Sequence, residues 1–240
     1  MANTFFQFKQ FTIQQERAAL KVSTDSCLFG AWVAHEIQIR DYQIKNVLDI
    51  GAGTGLLMLM IAQQSHAVIN GIEIDKSAYG QASENIKASP WHERLHLFLG
   101  DVKNFLFDQK YDLILCNPPF YEHDLKSDSA TRNLAMHDSG LKLQELIDIA
   151  DRIISAEGLF TVLLPFHRSN DFIKLAETKD LFLRKRMDVR QTVNHSFFRS
   201  IMLFSRKKLQ VETFSMAIKD EQNEYTPSFV ELLKDYYLYL

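Results

Sequence analysis

From Val47 onward, short apolar runs alternate with amphipathic helical patterns, an order that few architectures accept. Successive strands joined through helices lie parallel, so the pattern calls for a largely parallel sheet with helices on both faces. NVLDI (46–50) reads as the first strand of this series, LLMLMIAQQ (56–64) as a helix, AVINGIEI (67–74) as a strand and residues 76–87 as a helix. RLHLFLGD (94–101), YDLILCN (111–117) and GLFTVLLP (158–165) follow as strands, with helices over LKLQELIDIADRII (141–154) and SNDFIKLAE (169–177). FLRKRMDV (182–189) and SIMLFSRK (200–207) complete seven strands. The expected fold is α/β, a Rossmann-like seven-stranded, mostly parallel sheet.

Before Val47 the pattern differs. FFQFKQFTIQQ (5–15) alternates as a hairpin does, and Asp25 opens a helix through Cys27 to His35. This segment is expected to cap one end of the sheet. With 240 residues, 46% of them hydrophobic, and no low-complexity linker, the chain suits one large domain. Its expected parts are a cap (1–45), a core (46–208) and an extension (209–240) that forms a strand and a terminal helix. Cys27 and Cys116 stand far apart without a CxxC partner, which excludes a disulfide framework. No stretch approaches the roughly 18 apolar residues of a membrane span, and the start of the chain lacks a signal-peptide pattern. A cytoplasmic protein with no membrane contact is expected, and no feature calls for a stable protein partner.

The run DIGAGTG (49–55) follows a strand and opens a helix, so its glycines allow a tight turn and close approach of backbone to a nucleotide-like ligand. Glu73 ends the next strand, where a carboxylate can accept ribose hydroxyls. Asp101 ends the third, placed to accept from an adenine amine while the Val102 amide meets the ring. A dinucleotide oxidoreductase also uses a glycine turn and an acid, but it favours GxGxxG, whereas Leu56 follows GxGxG here.

Asn117, Pro118, Pro119 and Phe120 follow the fourth strand and form the most specific motif. The prolines stiffen the loop. The Asn117 side-chain oxygen and the Pro118 carbonyl can then accept both protons of one planar amine, while Phe120 stacks on the ring that carries it. A conjugated amine is a poor nucleophile, and two acceptors holding its hydrogens out of plane favour the attacking, pyramidal form.

DIGAGTG, IEID, LGD and NPPF, in this order, resemble the motifs of class I methyltransferases of the amino-methylating type over residues 46–207. LKVSTDSCLFGAW (20–32) is similar to the segment before the core in the bacterial family that methylates N6 of adenine 37 in valine tRNA, with Ser23 where that pattern has glycine. The resemblance implies S-adenosylmethionine as cofactor and tRNA as substrate. It also implies a cofactor site of Lys21, Thr24 and Asp25 at the methionine end with Asp49, Gly51, Gly53, Gly55, Glu73, Ile74, Asp101, Val102 and Asn117. Guanine N2 of rRNA and a glutamine amide of a protein remain rival targets for the same motif, and a non-catalytic module that holds cofactor or RNA is a rival of another kind.

HERLH (92–96) matches the HExxH zinc pattern, but Pro90 lies just upstream and His96 starts an alternating strand, so the two histidines cannot converge as helical neighbours and no metal is expected. Residues 184–208 hold eight Lys or Arg residues and one acid, Asp188, a local charge of +7 in a chain of net charge -3. Arg184, Lys185, Arg186, Arg199, Lys207 and Lys208 are therefore candidate RNA contacts, with Arg132 and His137 in the loop after NPPF. A solvated strand edge is the alternative reading of the basic stretch.

Overall fold

The computed structural model describes residues 3–18, 20–39, 42–118 and 141–240. A two-stranded hairpin, β1 (Phe5–Gln7) and β2 (Thr12–Gln14), precedes helix α1 (Thr24–Ile39). The core then runs β3 (Asn46–Ile50), α2 (Leu56–Gln64), β4 (Val68–Glu73), α3 (Lys76–Lys87), β5 (Leu95–Leu99) and β6 (Tyr111–Cys116). After it come α4 (Leu143–Ile153), β7 (Ile154–Pro165), α5 (Ser169–Glu177), β8 (Phe182–Thr192), β9 (Phe197–Ser205), β10 (Glu212–Lys219) and α6 (Pro227–Leu233).

The large sheet has the order β10-β8-β9-β7-β6-β3-β4-β5. β9 alone runs antiparallel, between β7 and β8. The strand order reverses at β3, where β4 lies on one side and β6 on the other. An open parallel sheet leaves a crevice at such a switch point, outside the carboxyl ends of its strands. Apolar side chains fill both faces. Residues 56–62 of α2 are all buried, because the helix lies between α1 and the sheet, which explains its unbroken apolar run LLMLMIA.

The sheet has eight strands and not seven. β10 adds to β8 in parallel, Phe214 facing Met187, and covers what would be an open edge. The strand expected in the extension is present, but its parallel partner lies more than twenty residues upstream and no turn advertises the pairing. β7 also begins at Ile154, four residues before the expected Gly158, as it pairs with Tyr111 across a register shift.

Both ends of the described chain meet over α1. The Lys9 amide donates to the Tyr236 carbonyl (2.8 Å), Phe8 bridges Tyr237, and the Tyr236 hydroxyl donates to the Met60 carbonyl (3.2 Å). Tyr236 is core, whereas Tyr239 is almost fully exposed.

Candidate active site

Residues 49–55 turn sharply at the switch point. Gly51, Gly53 and Gly55 all have positive φ (76°, 56° and 80°), a region that L side chains rarely occupy. The amides of Gly51 and Ala52 donate to the Ile72 carbonyl at the end of β4 (2.9 and 3.1 Å). Among the described residues, no atom other than those of its chain neighbours lies within 4 Å of where a Gly51 side chain would begin, so this side of the turn is open to them.

Glu73 braces the turn. One carboxylate oxygen accepts the Gly53 amide and the other the Asp75 amide, each at 2.8 Å, and the residue is only 8% exposed. This bracing was not legible in the sequence. Each oxygen still has acceptor capacity, since a carboxylate offers about four lone-pair sites. Ile74, by contrast, is 60% exposed beside it.

Asp49 is the anomaly of the site. It is completely buried, and neither carboxylate oxygen has a hydrogen-bond partner among the described residues. Burial, and then the negative charge of Glu73, push its carboxyl up to about 7. The Met58 amide, in the first turn of α2, opposes this as the smallest of the three influences and does not reach hydrogen-bond geometry. A buried acid left unpaired among the described residues, beside a glycine turn, is chemically suited to a cationic group.

Asp101 lies just past β5, where its side chain accepts the Lys103 amide (2.9 Å); Val102 is buried next to it. Asn117 and Pro118 directly follow β6, the neighbour of β3, with Pro118 buried and Asn117 half-buried. Asp49, Glu73, Asp101 and Asn117 thus stand at the carboxyl ends of four adjacent strands, β3, β4, β5 and β6. Pro119, Phe120, Arg132 and His137 lie outside the described residues.

The cap meets this site through two groups. Asp25, in the first turn of α1, accepts from Arg199 Nε (2.8 Å), and Arg199 pairs with Pro165 at the carboxyl end of β7. Ser23 Oγ donates to Asp25 (2.5 Å) and its carbonyl accepts the Cys27 amide, so this serine serves the helix start. Thr24 opens α1 half-buried, while Lys21 is exposed and donates to the Asn3 carbonyl (3.3 Å). On α3, buried Asn85 donates to the carbonyls of Gln14 and Thr54, both at 2.9 Å, and so ties β2 to the glycine turn. Sequence reasoning missed Asn85. Its signal is a pair of amides, Gln81 and Asn85, four residues apart on the buried face of an amphipathic helix.

The basic stretch is not one surface. β9 runs against its neighbours, so Arg199 lies at the carboxyl end of the sheet while Lys207 and Lys208, past its other terminus, lie at the opposite end from Asn117. Arg184, next to Leu183 opposite Phe204, shares that far end and donates to Ser205 Oγ. Arg186 pairs with Asp188 at 2.7 Å, and Lys207 with Glu157. Lys185 is a residue of the fold: it is buried and bound to Glu36 of α1 (2.5 Å) and Glu212 of β10 (3.5 Å). Removing one partner of a buried ion pair leaves the other uncompensated, so Lys185→Ala is expected to destabilise the protein by about 3 kcal/mol in urea unfolding. A Lys185→Ala protein with unchanged stability would place that lysine in solvent.

HERLH divides as its sequence suggests: His92 and Arg94 form a single 3-10 turn and His96 belongs to β5.

Arrangement and site together define a class I methyltransferase. A model of the methyltransferase small domain matches residues 33–157. Among solved structures, the chain is similar to one described as a predicted O-methyltransferase from Agrobacterium tumefaciens (TM-score 0.66, 14% identity, 88% of this chain and 96% of that one). It is also similar to a glycopeptide N-methyltransferase complexed with S-adenosylmethionine (TM-score 0.55, 11% identity, 74% and 94%). Nearer in sequence are proteins named tRNA1(Val) (adenine(37)-N6)-methyltransferase: one from Flavobacterium psychrophilum is 39% identical, covering 97% of this chain and 99% of its own length. One from Pseudoalteromonas translucida is 38% identical, covering 97% and 98%. The chain belongs to the family of tRNA1(Val) (adenine(37)-N6)-methyltransferases.

Proposed function

We propose that the protein transfers a methyl group from S-adenosylmethionine to the N6 amine of adenine 37 in tRNA1(Val). The observation that carries this reading is the position of Asn117 and Pro118 at the carboxyl end of β6, one strand from the open glycine turn and the unpaired carboxylate of Asp49. A guanine N2 or a glutamine amide would need the same acceptors, and the nearly full-length likeness to the adenine family decides between them. Such a substrate places the protein in the cytoplasm, and no helix among the described residues is long and apolar enough to cross a membrane.

The residues present fit the cofactor. Asp49 takes its cationic amino-acid end, a pairing that offsets the cost of the buried carboxylate. Gly51 and Gly53 keep the turn free of side chains where the ligand passes. Glu73 accepts from the ribose with the lone pairs that Gly53 and Asp75 leave, Asp101 accepts from the adenine amine beside Val102, and the exposed Ile74 covers the ring. Lys21, Thr24 and Asp25 close the methionine end from the cap. When bound, the cofactor supplies an electrophilic methyl group on a sulfonium.

Asn117 Oδ1 and the Pro118 carbonyl accept the two hydrogens of the target amine and turn its lone pair toward that methyl group; Phe120 stacks on the base. The proton leaves to solvent after attack, so the chain needs no dedicated base. A base inside a duplex cannot reach this loop, so the target is unpaired and turned into the crevice.

Incubation with labelled cofactor and tRNA from cells that lack the modification, followed by nucleoside mass mapping, tests this reading. N6-methyladenosine at position 37 of tRNA1(Val) is expected, with free adenosine methylated far more slowly. Methyl groups on guanine or on protein glutamine, with tRNA untouched, would overturn it.

A further inference from the structure

We propose that the carboxyl end of the β8–β9 hairpin, with Arg190 at its base and His195 at its tip, holds the phosphate backbone of nucleotides that flank the target base. This rests on the reading of tRNA as substrate. Five of the eight cations in 184–208 are neutralised by acids: Lys185 by Glu36, Arg186 by Asp188, Arg199 by Asp25, Arg206 by Asp151 and Lys207 by Glu157. Among the described residues, Arg184, Arg190 and Lys208 make no ion pair, and two of these stand at the far end of the sheet. Arg190, opposite Phe197 at the carboxyl end, is the one whose charge remains on the side of Asn117.

The guanidinium of Arg190 is held without an acid. Its centre lies 5.7 Å from the Phe197 ring, Nη1 donates to the Val193 carbonyl (2.8 Å), and Nε has no partner among the described residues. Phe197 packs against Phe166 (5.3 Å between ring centres), on which the Arg186 guanidinium rests. Stacking on rings fixes a guanidinium while leaving its charge for a ligand, and its planar donors suit phosphate oxygens. Exposed His195, pinned by Thr192 Oγ1 at 2.7 Å, extends the surface outward.

Position agrees with that role. Adjacent strands are about 4.8 Å apart, so β9 and β8, two and three strands from β6, lie roughly 10 and 14 Å from it across the sheet, and Arg190 stands a few residues further along its strand than Asn117. A few nucleotides of an anticodon loop cross that distance. The far-end cations Arg184 and Lys208 lie across the whole length of the strands from the reacting amine.

The test compares KM for tRNA as a function of salt for the wild type, Arg190→Gln, Arg190→Lys and Lys208→Gln, with cofactor affinity from calorimetry alongside. Arg190→Gln is expected to raise KM about tenfold and to lower the salt slope by about one, while Arg190→Lys regains part of the loss. Unchanged KM and slope in Arg190→Gln, or a loss confined to Lys208→Gln, would overturn the inference while wild-type turnover on tRNA keeps the functional reading intact. A wild type that does not methylate tRNA would instead bring down that reading, and the inference with it. If Arg190→Gln also weakens cofactor binding, His195→Glu on the exposed tip decides: a raised KM supports the surface, and no change refutes it.

Discussion

Asn117→Ala is expected to lower kcat by about 10²- to 10³-fold while KM for tRNA stays nearly constant. The amine hydrogens are also solvated in the free substrate, so their acceptors matter most when the nitrogen becomes pyramidal. That is a transition-state interaction, and its loss appears in kcat. Single-turnover kinetics on tRNA1(Val) with saturating cofactor measure it. Equal losses in affinity and turnover would make Asn117 a residue that positions the loop, and the amine would need other acceptors.

A second large effect belongs to Asp49. Its carboxyl is raised in the folded protein from 3.8 to about 7, by burial first and the charge of Glu73 second. Between these values the folded state keeps a proton that the unfolded chain has lost, so the stability of the cofactor-free protein falls as pH rises from about 4 to about 7 and is level above that. The loss is on the order of 4 kcal/mol, since one unit corresponds to about 1.4 kcal/mol. Asn at this position carries no charge, so Asp49→Asn is expected to remove this component of the pH dependence and to raise the melting temperature near pH 8. Cofactor binding should move the other way. A cation beside Asp49 favours its ionised form, so affinity in the wild type should tighten up to about pH 7 with release of a proton, and Asp49→Asn should weaken it about 10- to 100-fold. Thermal unfolding and calorimetry across pH check both halves, and a variant that is less stable and binds as tightly would remove Asp49 from the cofactor site.

The sequence disclosed the strand ends that carry the candidate site better than it disclosed their surroundings. Parallel strands buried on both faces read as continuous apolar runs, and punctuation such as residues 51–55 marks their carboxyl ends, so the places of Asp49, Glu73, Asp101 and Asn117 could be read in one dimension. The division of HERLH between a turn and β5 was legible for a similar local reason: Pro90 and the alternation from Leu95. The direction of β9 was not. Strand polarity depends on pairing partners, and the antiparallel insertion of β9 between β7 and β8 is what sends Arg199 and Lys207 to opposite ends. Lys185 was concealed in the same way, as its acids come from α1 and β10, 149 residues upstream in the case of Glu36. β10 itself depends on a partner that no local turn announces, hence a sheet of eight strands where seven were expected.

The junction of Lys9 and Phe8 with Tyr236 and Tyr237 has a consequence for synthesis. The hairpin β1–β2 emerges from the ribosome before the sheet, yet the backbone groups it joins are made only after the sheet's last strand. Until then the hairpin is held on one side only, through Asn85 of α3, and the end that carries Phe8 and Lys9 lacks its backbone partners. A nascent chain with a folded sheet can therefore possess the glycine turn and Asn117 while its N-terminal hairpin is only half docked. The hairpin would be fixed on both sides only once the tyrosines are made, as a late step of assembly.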